Sequence, residues 1–346
     1  MRYSRAFIDA IGYELPPVVV TTRELEARLR PVYQALHLPE GQLEALTGIV
    51  ERRWWEPGFP LSQGAARAAR KALLASDVLP SQVEVLIYAA VCRENFEPAT
   101  ACRVAAALGI SPETIYDISN ACLGVLNGIV DVANRIELGD IRAGLVVSCE
   151  TAREINDSTI ESMLEAPNDM EGFKNKLATL TGGSGAVAVL VTDGSFGNDT
   201  RRKLLGGTTK AAPQYHGLCR WGIENVLNVV RQFTATDSAG VLKYGVDLGM
   251  RTWRSFLGKV GWAAEMVDKI ICHQVGTGHR DSILKALGIS KDKEYSTYEY
   301  LGNIGTVSLP LTAALAEERE FLRPGDRVGL LGIGSGLNCL MLGVEW

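Results

Sequence analysis

The stretch Tyr116-Asp117-Ile118-Ser119-Asn120-Ala121-Cys122-Leu123-Gly124 decides how this chain is read, because a short β-type run stops there at a polar turn and a helical pattern begins at a cysteine. After Cys122 the apolar positions Leu126, Ile129, Val130, Ala133 and Ile136 fall three and four apart, one face of an amphipathic helix. Ser119 and Asn120 are residue types that cap helix starts. A thiol in that position sits on free backbone N–H groups and the positive helix end, which favour the thiolate. The same N–H groups can hold the oxyanion of an acyl group under attack. Cys122 is therefore the candidate nucleophile, against the alternative that it is a small buried hydrophobe.

The sequence around this stretch is that of an α/β protein with a large core. It has 346 residues, 47% hydrophobic, with 36 glycines, and is long enough for two domains. A net charge of -5 without a Lys/Arg run excludes nucleic acid as an expected partner. Neither a signal-type N-terminus nor a run of about 18 apolar residues is present, so a cytoplasmic protein outside the membrane is expected. Seven scattered cysteines without a C-x-x-C pair argue against a disulfide framework and against a zinc site.

The chain repeats itself. Residues 83–91 (VEVLIYAAV) resemble 267–275 (VDKIICHQV), an offset of 184. Ala107-Leu108-Gly109-Ile110-Ser111 returns as Ala286-Leu287-Gly288-Ile289-Ser290, and Gly139-Asp140 with its strand returns as Gly325-Asp326. Gly183-Ser184-Gly185 returns as Gly334-Ser335-Gly336. Four matches in one order mean two copies of one α/β unit, 1–197 and 198–346. The offset falls to 151 at the last match, which places about 34 extra residues between Cys149 and Gly183. Residues 154–180 are that insert, polar and helix-prone, with Met163, Leu164, Met170, Phe173 and Leu177 as its apolar members. It suits a lid or channel wall, or equally an ordinary surface helical hairpin.

Strands are expected at 145–147, 186–191, 270–272 and 328–331, and helices at 65–75, 99–108, 123–138 and 311–321. This alternation predicts sheets covered by helices. With the duplication it predicts two sheets around a shared helix layer. The second copy adds His273, where a strand hands over to a loop, and Asn303 in the turn Gly302-Asn303-Ile304-Gly305. Each has a structural alternative: a hydrogen-bonded core histidine, and an asparagine that tolerates left-handed geometry.

Together these residues resemble the thiolase-like condensing enzymes, in particular the ketoacyl-ACP synthase III branch, whose T-G-I-x-E-R-R segment is matched by Thr47-Gly48-Ile49-Val50-Glu51-Arg52-Arg53. Within the branch, Asn120-Ala121-Cys122-Leu123, Phe96-Glu97-Pro98-Ala99-Thr100-Ala101, Ile271-Cys272-His273-Gln274-Val275 and residues 330–339 (LLGIGSGLNC) are most similar to the OleA family, the acyl-CoA condensing enzymes of bacterial long-chain olefin biosynthesis. The resemblance covers essentially the whole chain and implies a layered αβαβα fold with two mixed sheets.

It also implies roles. Cys122 takes an acyl group from one long-chain acyl-CoA while the N–H groups of Cys122 and Ser335 hold the oxyanion. His273 and Asn303 hold the enolate of a second acyl-CoA as it attacks, a Claisen condensation through an acyl-cysteine. Glu97 removes the α-proton from the partner subunit's side of a homodimer, and burial in an acyl-lined site would make it a better base. Alternatively Glu97 only complements a helix start. No cofactor is implied, since the CoA thioesters are substrates, and downstream olefin-pathway enzymes are implied partners.

Gln42 and Leu46 stand where some synthase III members carry Trp and Arg against the CoA nucleotide; Trp54 and Trp55 are near but not equivalent. Arg52, Arg53 and Arg220 are the candidate cations for CoA phosphates, with an exposed basic face as the simpler account. A malonyl-dependent decarboxylative synthase, a thioester or peptide hydrolase using Cys, His and Asn, and a non-catalytic partner subunit are the competing functions.

Overall fold

The computed structural model describes residues 1–197, 202–226 and 229–346. Its thirteen strands are β1 (Phe7–Glu14), β2 (Val18–Thr21), β3 (Glu51–Trp54), β4 (Val85–Ala89), β5 (Thr114–Ile118), β6 (Ala143–Glu150), β7 (Gly185–Thr192), β8 (Arg202–Ala211), β9 (Cys219–Val226), β10 (Val229–Thr236), β11 (Lys269–Cys272), β12 (Arg327–Gly334) and β13 (Asn338–Glu345). Nine of them run in the order β11-β12-β13-β8-β1-β7-β6-β4-β5. The expected two mixed sheets are thus joined edge to edge. Their seam is two residue pairs of β1 and β8, Phe7↔Lys203 and Ile8↔Arg202.

On either side of the seam the pattern repeats. β4 pairs in parallel with β6, and β6 antiparallel with β7. β11 likewise pairs in parallel with β12, and β12 antiparallel with β13. β5 extends the first set beyond β4, and the isolated parallel bridge Ile270↔Glu294 sits at the matching place beyond β11. The repeat reaches single dihedrals. Helix Thr100–Leu108 ends at Gly109 with φ 69°, and helix Thr277–Leu287 ends at Gly288 with φ 68°, the left-handed C-cap that glycine adopts without a Cβ penalty.

Alternation along the strands sorts the core into layers. Leu86, Tyr88, Leu145, Val147 and Leu190 pack under helices Leu61–Leu74 and Thr100–Leu108. Their neighbours Val85, Ile87, Val146, Val189 and Val191 face inward, into one cluster with Val328, Leu330, Leu340 and Leu342 of the second half. Helices Gly124–Leu138 and Ser308–Glu318 fill that middle layer. The run from Ser308 to Ala316 is buried on every face, as a helix between two sheets must be. On the far side, helix Ser238–Val260 and helix Thr277–Leu287 cover Ile270, Cys272, Leu331 and Met341. This is the αβαβα order.

The insert is a helical pair, Arg153–Glu165 and Met170–Lys176, closed by a 3-10 turn at Leu177–Thr181. Met163 and Phe173 are buried with Leu25, Leu29, Val32 and Tyr33 of the N-terminal helices, whereas Leu164 and Met170 are exposed. Its buried apolar residues thus join a fourth core cluster with the N-terminal helices.

Candidate active site

The loops after β4, β5 and β6 in one half, and after β11 and β12 in the other, leave the carboxyl ends of parallel strands, where open α/β sheets place their ligands. Cys122, His273 and Ser335 all lie on such loops. A Cβ placed on Gly334, at the end of β12, would stand 3.4 Å from the Cys122 nitrogen and 3.3 Å from Leu123 Cγ. The two halves therefore meet at the cysteine, backbone against backbone.

Cys122 is held on a tight turn. Ala121 before it has φ 46°, a left-handed conformation that non-glycine residues adopt only when the surroundings enforce it. The helix begins at Gly124 with Leu123 as its cap residue, and neither Ser119 nor Asn120 caps it. Asn120 instead donates to Asn127 Oδ1 at 2.8 Å and accepts from Asn338 Nδ2 at 3.1 Å. The first-turn N–H of Val125 is satisfied from the other half of the chain, by Thr306 Oγ1 at 2.7 Å. The expected low thiol pKa is also corrected. Although Cys122 keeps some accessible surface, burial pushes its thiol up to about 12, helped by the neighbouring Cys219 and Glu150. Desolvation outweighs the helix end, so at neutral pH Cys122 rests as a thiol.

His273 continues β11, its N–H bonded to Leu331 O at 3.0 Å. Its Nδ1 is buried with no hydrogen-bond partner among the described residues. Burial, then the nearby His279, lowers its pKa to about 4, which makes it a neutral imidazole at pH 7. Asn303 is fixed on both sides of its peptide: its N–H donates to Thr181 O and its carbonyl accepts from Gly183 N–H, each at 2.9 Å. Its Oδ1 accepts from Gly305 N–H at 3.0 Å, which leaves the amide NH2 to donate elsewhere. Gln274, 2% exposed, bonds Cys272 O and the N–H groups of Thr297 and Tyr298, tying the histidine loop to the asparagine loop.

The repeated serine turns have diverged. Ser184 is fully buried, its N–H on Arg53 O at 2.8 Å and its hydroxyl on the Ala152 N–H at 2.9 Å. Ser335 is half-buried, and its N–H has no partner among the described residues. Glu97 stands apart from the other four. It is exposed on the 90–99 loop beside Phe96, which is 95% exposed, and no hydrogen bond or ion pair joins it to them among the described residues.

Arg52 is no candidate for CoA phosphates. It is fully buried, with Nη1 on Thr22 Oγ1 at 3.0 Å and Nη2 on Leu180 O at 3.2 Å. Trp54 and Trp55 are likewise core residues. Arg53 bonds Pro16 O, and Arg220 lies exposed over the Phe233 ring.

An apolar cleft with about 530 Å³ of empty space, partly open to solvent, runs from His273 between helix Ser238–Val260, helix Thr277–Leu287 and strands β12 and β13. Gly245 and Gly249 give it room on the long helix. No residue of the 154–180 insert lines it. Among the described residues no group of three or more His, Cys, Asp or Glu side chains could hold a metal ion. Among them, too, no helix is long and apolar enough to cross a membrane.

Sequence reasoning passed over Thr306, Gln274 and Glu150. Only Glu150 carried a signal, a lone carboxylate ending the apolar run Leu145-Val146-Val147-Ser148-Cys149.

The five layers, with a cysteine turn from one half packed against the serine turn of the other, define an acyltransferase of the thiolase-like condensing class. A family model described as 3-oxoacyl-[acyl-carrier-protein (ACP)] synthase III C terminal matches residues 257–346. The chain is 57% identical, over 100% of both sequences, to the acyl-CoA:acyl-CoA alkyltransferase of Shewanella oneidensis, and 34% identical over the same extent to that of Xanthomonas campestris pv. campestris. A solved cysteine-to-serine variant of Xanthomonas campestris OleA, with bound lauric acid and lauroyl-CoA, superposes with a TM-score of 0.92 at 34% identity, covering 99% of this chain and 100% of that one. The protein belongs to the acyl-CoA:acyl-CoA alkyltransferase (OleA) family.

Proposed function

We propose that this protein joins two long-chain acyl-CoAs by a non-decarboxylative Claisen condensation, the first step of long-chain olefin or ketone formation. The observation that carries the reading is the cysteine turn lying against the Gly334-Ser335 turn, with an apolar cleft opening at His273. The cleft's largely apolar lining suits an alkyl chain.

Cys122 Sγ attacks the first thioester. Its proton must leave as the S–C bond forms, and the neutral His273 ring passes it to the departing CoA sulfur. The free Ser335 N–H, with that of Cys122, holds the oxyanion. A second acyl-CoA then loses its α-proton to Glu97, and its enolate oxygen is held by a ring N–H of His273 and the amide of Asn303. Attack of the α-carbon on the acyl-cysteine forms the carbon–carbon bond and releases the Cys122 sulfur. The 2-alkyl-3-ketoacyl thioester left on CoA gives the β-keto acid on hydrolysis.

Glu97 is exposed beside Phe96, so it serves the site of a second copy, and the working unit is a homodimer. Residues 1–197 and 198–346 act as the two halves, no cofactor is required, and the reaction runs in the cytoplasm ahead of enzymes that reduce or decarboxylate the product.

Incubation with one long-chain acyl-CoA and no malonyl donor tests this, with free CoA and product mass as readouts. A β-keto acid of two chains, or its ketone, is expected. Glu97→Ala should abolish coupling and spare acylation of Cys122. Product that appears only with malonyl thioester would return the chain to decarboxylative synthesis.

A further inference from the structure

Glu150 is a carboxylate that the reaction does not use, yet it is 4% exposed and sits where the three catalytic segments converge. One carboxylate oxygen accepts the N–H of Val91 at 2.9 Å and the other that of Cys92 at 3.0 Å, at the root of the 90–99 loop that carries Glu97. The Thr306 peptide lies close to the same carboxylate and favours its charged form, while burial favours the neutral one. Thr306 follows Gly305, the residue held by the Asn303 side chain, and its hydroxyl takes the Val125 N–H in the first turn after Cys122. Gly305 packs directly against the carboxylate: a Cβ there would stand in contact with Glu150 Oε1, at 3.5 Å.

We propose that Glu150 is a positioning residue that holds the Cys122 helix, the Asn303 turn and the Glu97 loop in register with one another. Two backbone donors on one buried carboxylate, with the Thr306 peptide beside it, offset the cost of enclosing the group. Because it is bonded to the Val91–Cys92 backbone of one half and packs against Gly305 of the other, the carboxylate fixes their spacing across the site. Its titratable neighbours are Cys122, Cys92, Cys149 and Tyr88, and Cys219 also faces Cys122. The nearby negative charge further raises the Cys122 thiol.

The test uses Glu150→Gln and Thr306→Val in the full chain, with three readouts: acylation of Cys122, coupled product per acyl-enzyme formed, and the pH midpoint of Cys122 thiol–disulfide exchange. Glu150→Gln keeps the shape, loses the charge and turns an NH2 toward one of the N–H donors. Coupling per acyl-enzyme should fall on the order of tenfold or more through misplacement, and the exchange midpoint should move to lower pH. Thr306→Val should slow acylation and leave that midpoint in place. A folded Glu150→Gln protein with unchanged coupling per acyl-enzyme and an unchanged midpoint overturns the proposal. If Glu150→Gln fails to fold, wild-type acylation by Thr306→Val overturns it instead. Only the coupling readout rests on the proposed condensation; the exchange midpoint needs no substrate and stands if that reading fails.

Discussion

The raised thiol of Cys122 has a measurable cost in reactivity. Burial takes its pKa from an ordinary 9.0 to about 12, so at neutral pH it carries about a thousandfold less thiolate than an unperturbed cysteine. A thiolate of higher pKa is intrinsically more nucleophilic, with a Brønsted coefficient of about 0.4–0.5, which restores roughly twentyfold over three decades. Cys122 should therefore exchange with a small dipyridyl disulfide on the order of fiftyfold more slowly than a free thiol at pH 7. Its rate should rise about tenfold per pH unit through at least pH 10, since the thiolate fraction does. The assay is release of the pyridyl thione, with Cys122→Ser subtracted to remove exposed thiols such as Cys102. A rate that levels off between pH 6 and 8 would refute the reasoning and restore the thiolate that a helix start alone suggests.

Three further outcomes are open to measurement. Gly245→Leu places a Cβ 3.0 Å from Ile333 Cδ1 and fills the cleft, so kcat/KM should drop about fourfold per excluded methylene for long acyl-CoAs and leave short ones unchanged; a parallel loss at all lengths would sink the cleft as the chain's site. Arg52→Ala should lower unfolding free energy by about 3 kcal/mol in a denaturant titration, through lost packing and unpaired Thr22 and Leu180 groups, with KM for acyl-CoA unchanged. For His273, whose pKa falls from 6.5 to about 4, the unfolded chain takes up the proton first as pH drops. The stability from its neutral form is complete above pH 6.5 and is lost as pH falls toward 4. Melting of His273→Asn across that window should lack this increment.

Much of the architecture was readable because the duplication is written in local signals. Glycine caps, Gly-Asp turns and apolar runs are determined by residues a few positions apart, and Gly109 and Gly288 carry the repeat into matching dihedrals. The helix expected at 123–138 begins at Gly124, and the one expected at 311–321 begins three residues earlier, at Ser308. What escaped reading is what distance in sequence conceals. Ser119 and Asn120 look like caps, yet the helix after Cys122 is capped by Thr306, 181 residues beyond Val125. Arg52 looks like a surface cation within an E-R-R run, but β3 pairs with β2 and buries it under Thr22 and Leu180. The sign of the Cys122 shift also depends on enclosure, which spacing along the chain does not express.

The twin serine turns say something about history. A unit that pairs along β1 and β8 and meets its copy at the carboxyl ends of its strands describes a two-fold dimer, in which every contact occurs twice. Such an ancestor would have carried two equivalent sites, each assembled from both protomers. In the present chain Ser184 is buried while Ser335 is half-buried, and Cys122 stands on one side with His273 and Asn303 on the other. Cys122 thus lies in one half and His273 and Asn303 in the other, so on the proposed reading neither half alone assembles a site, and the contacts between the two halves are as much a part of it as the three side chains.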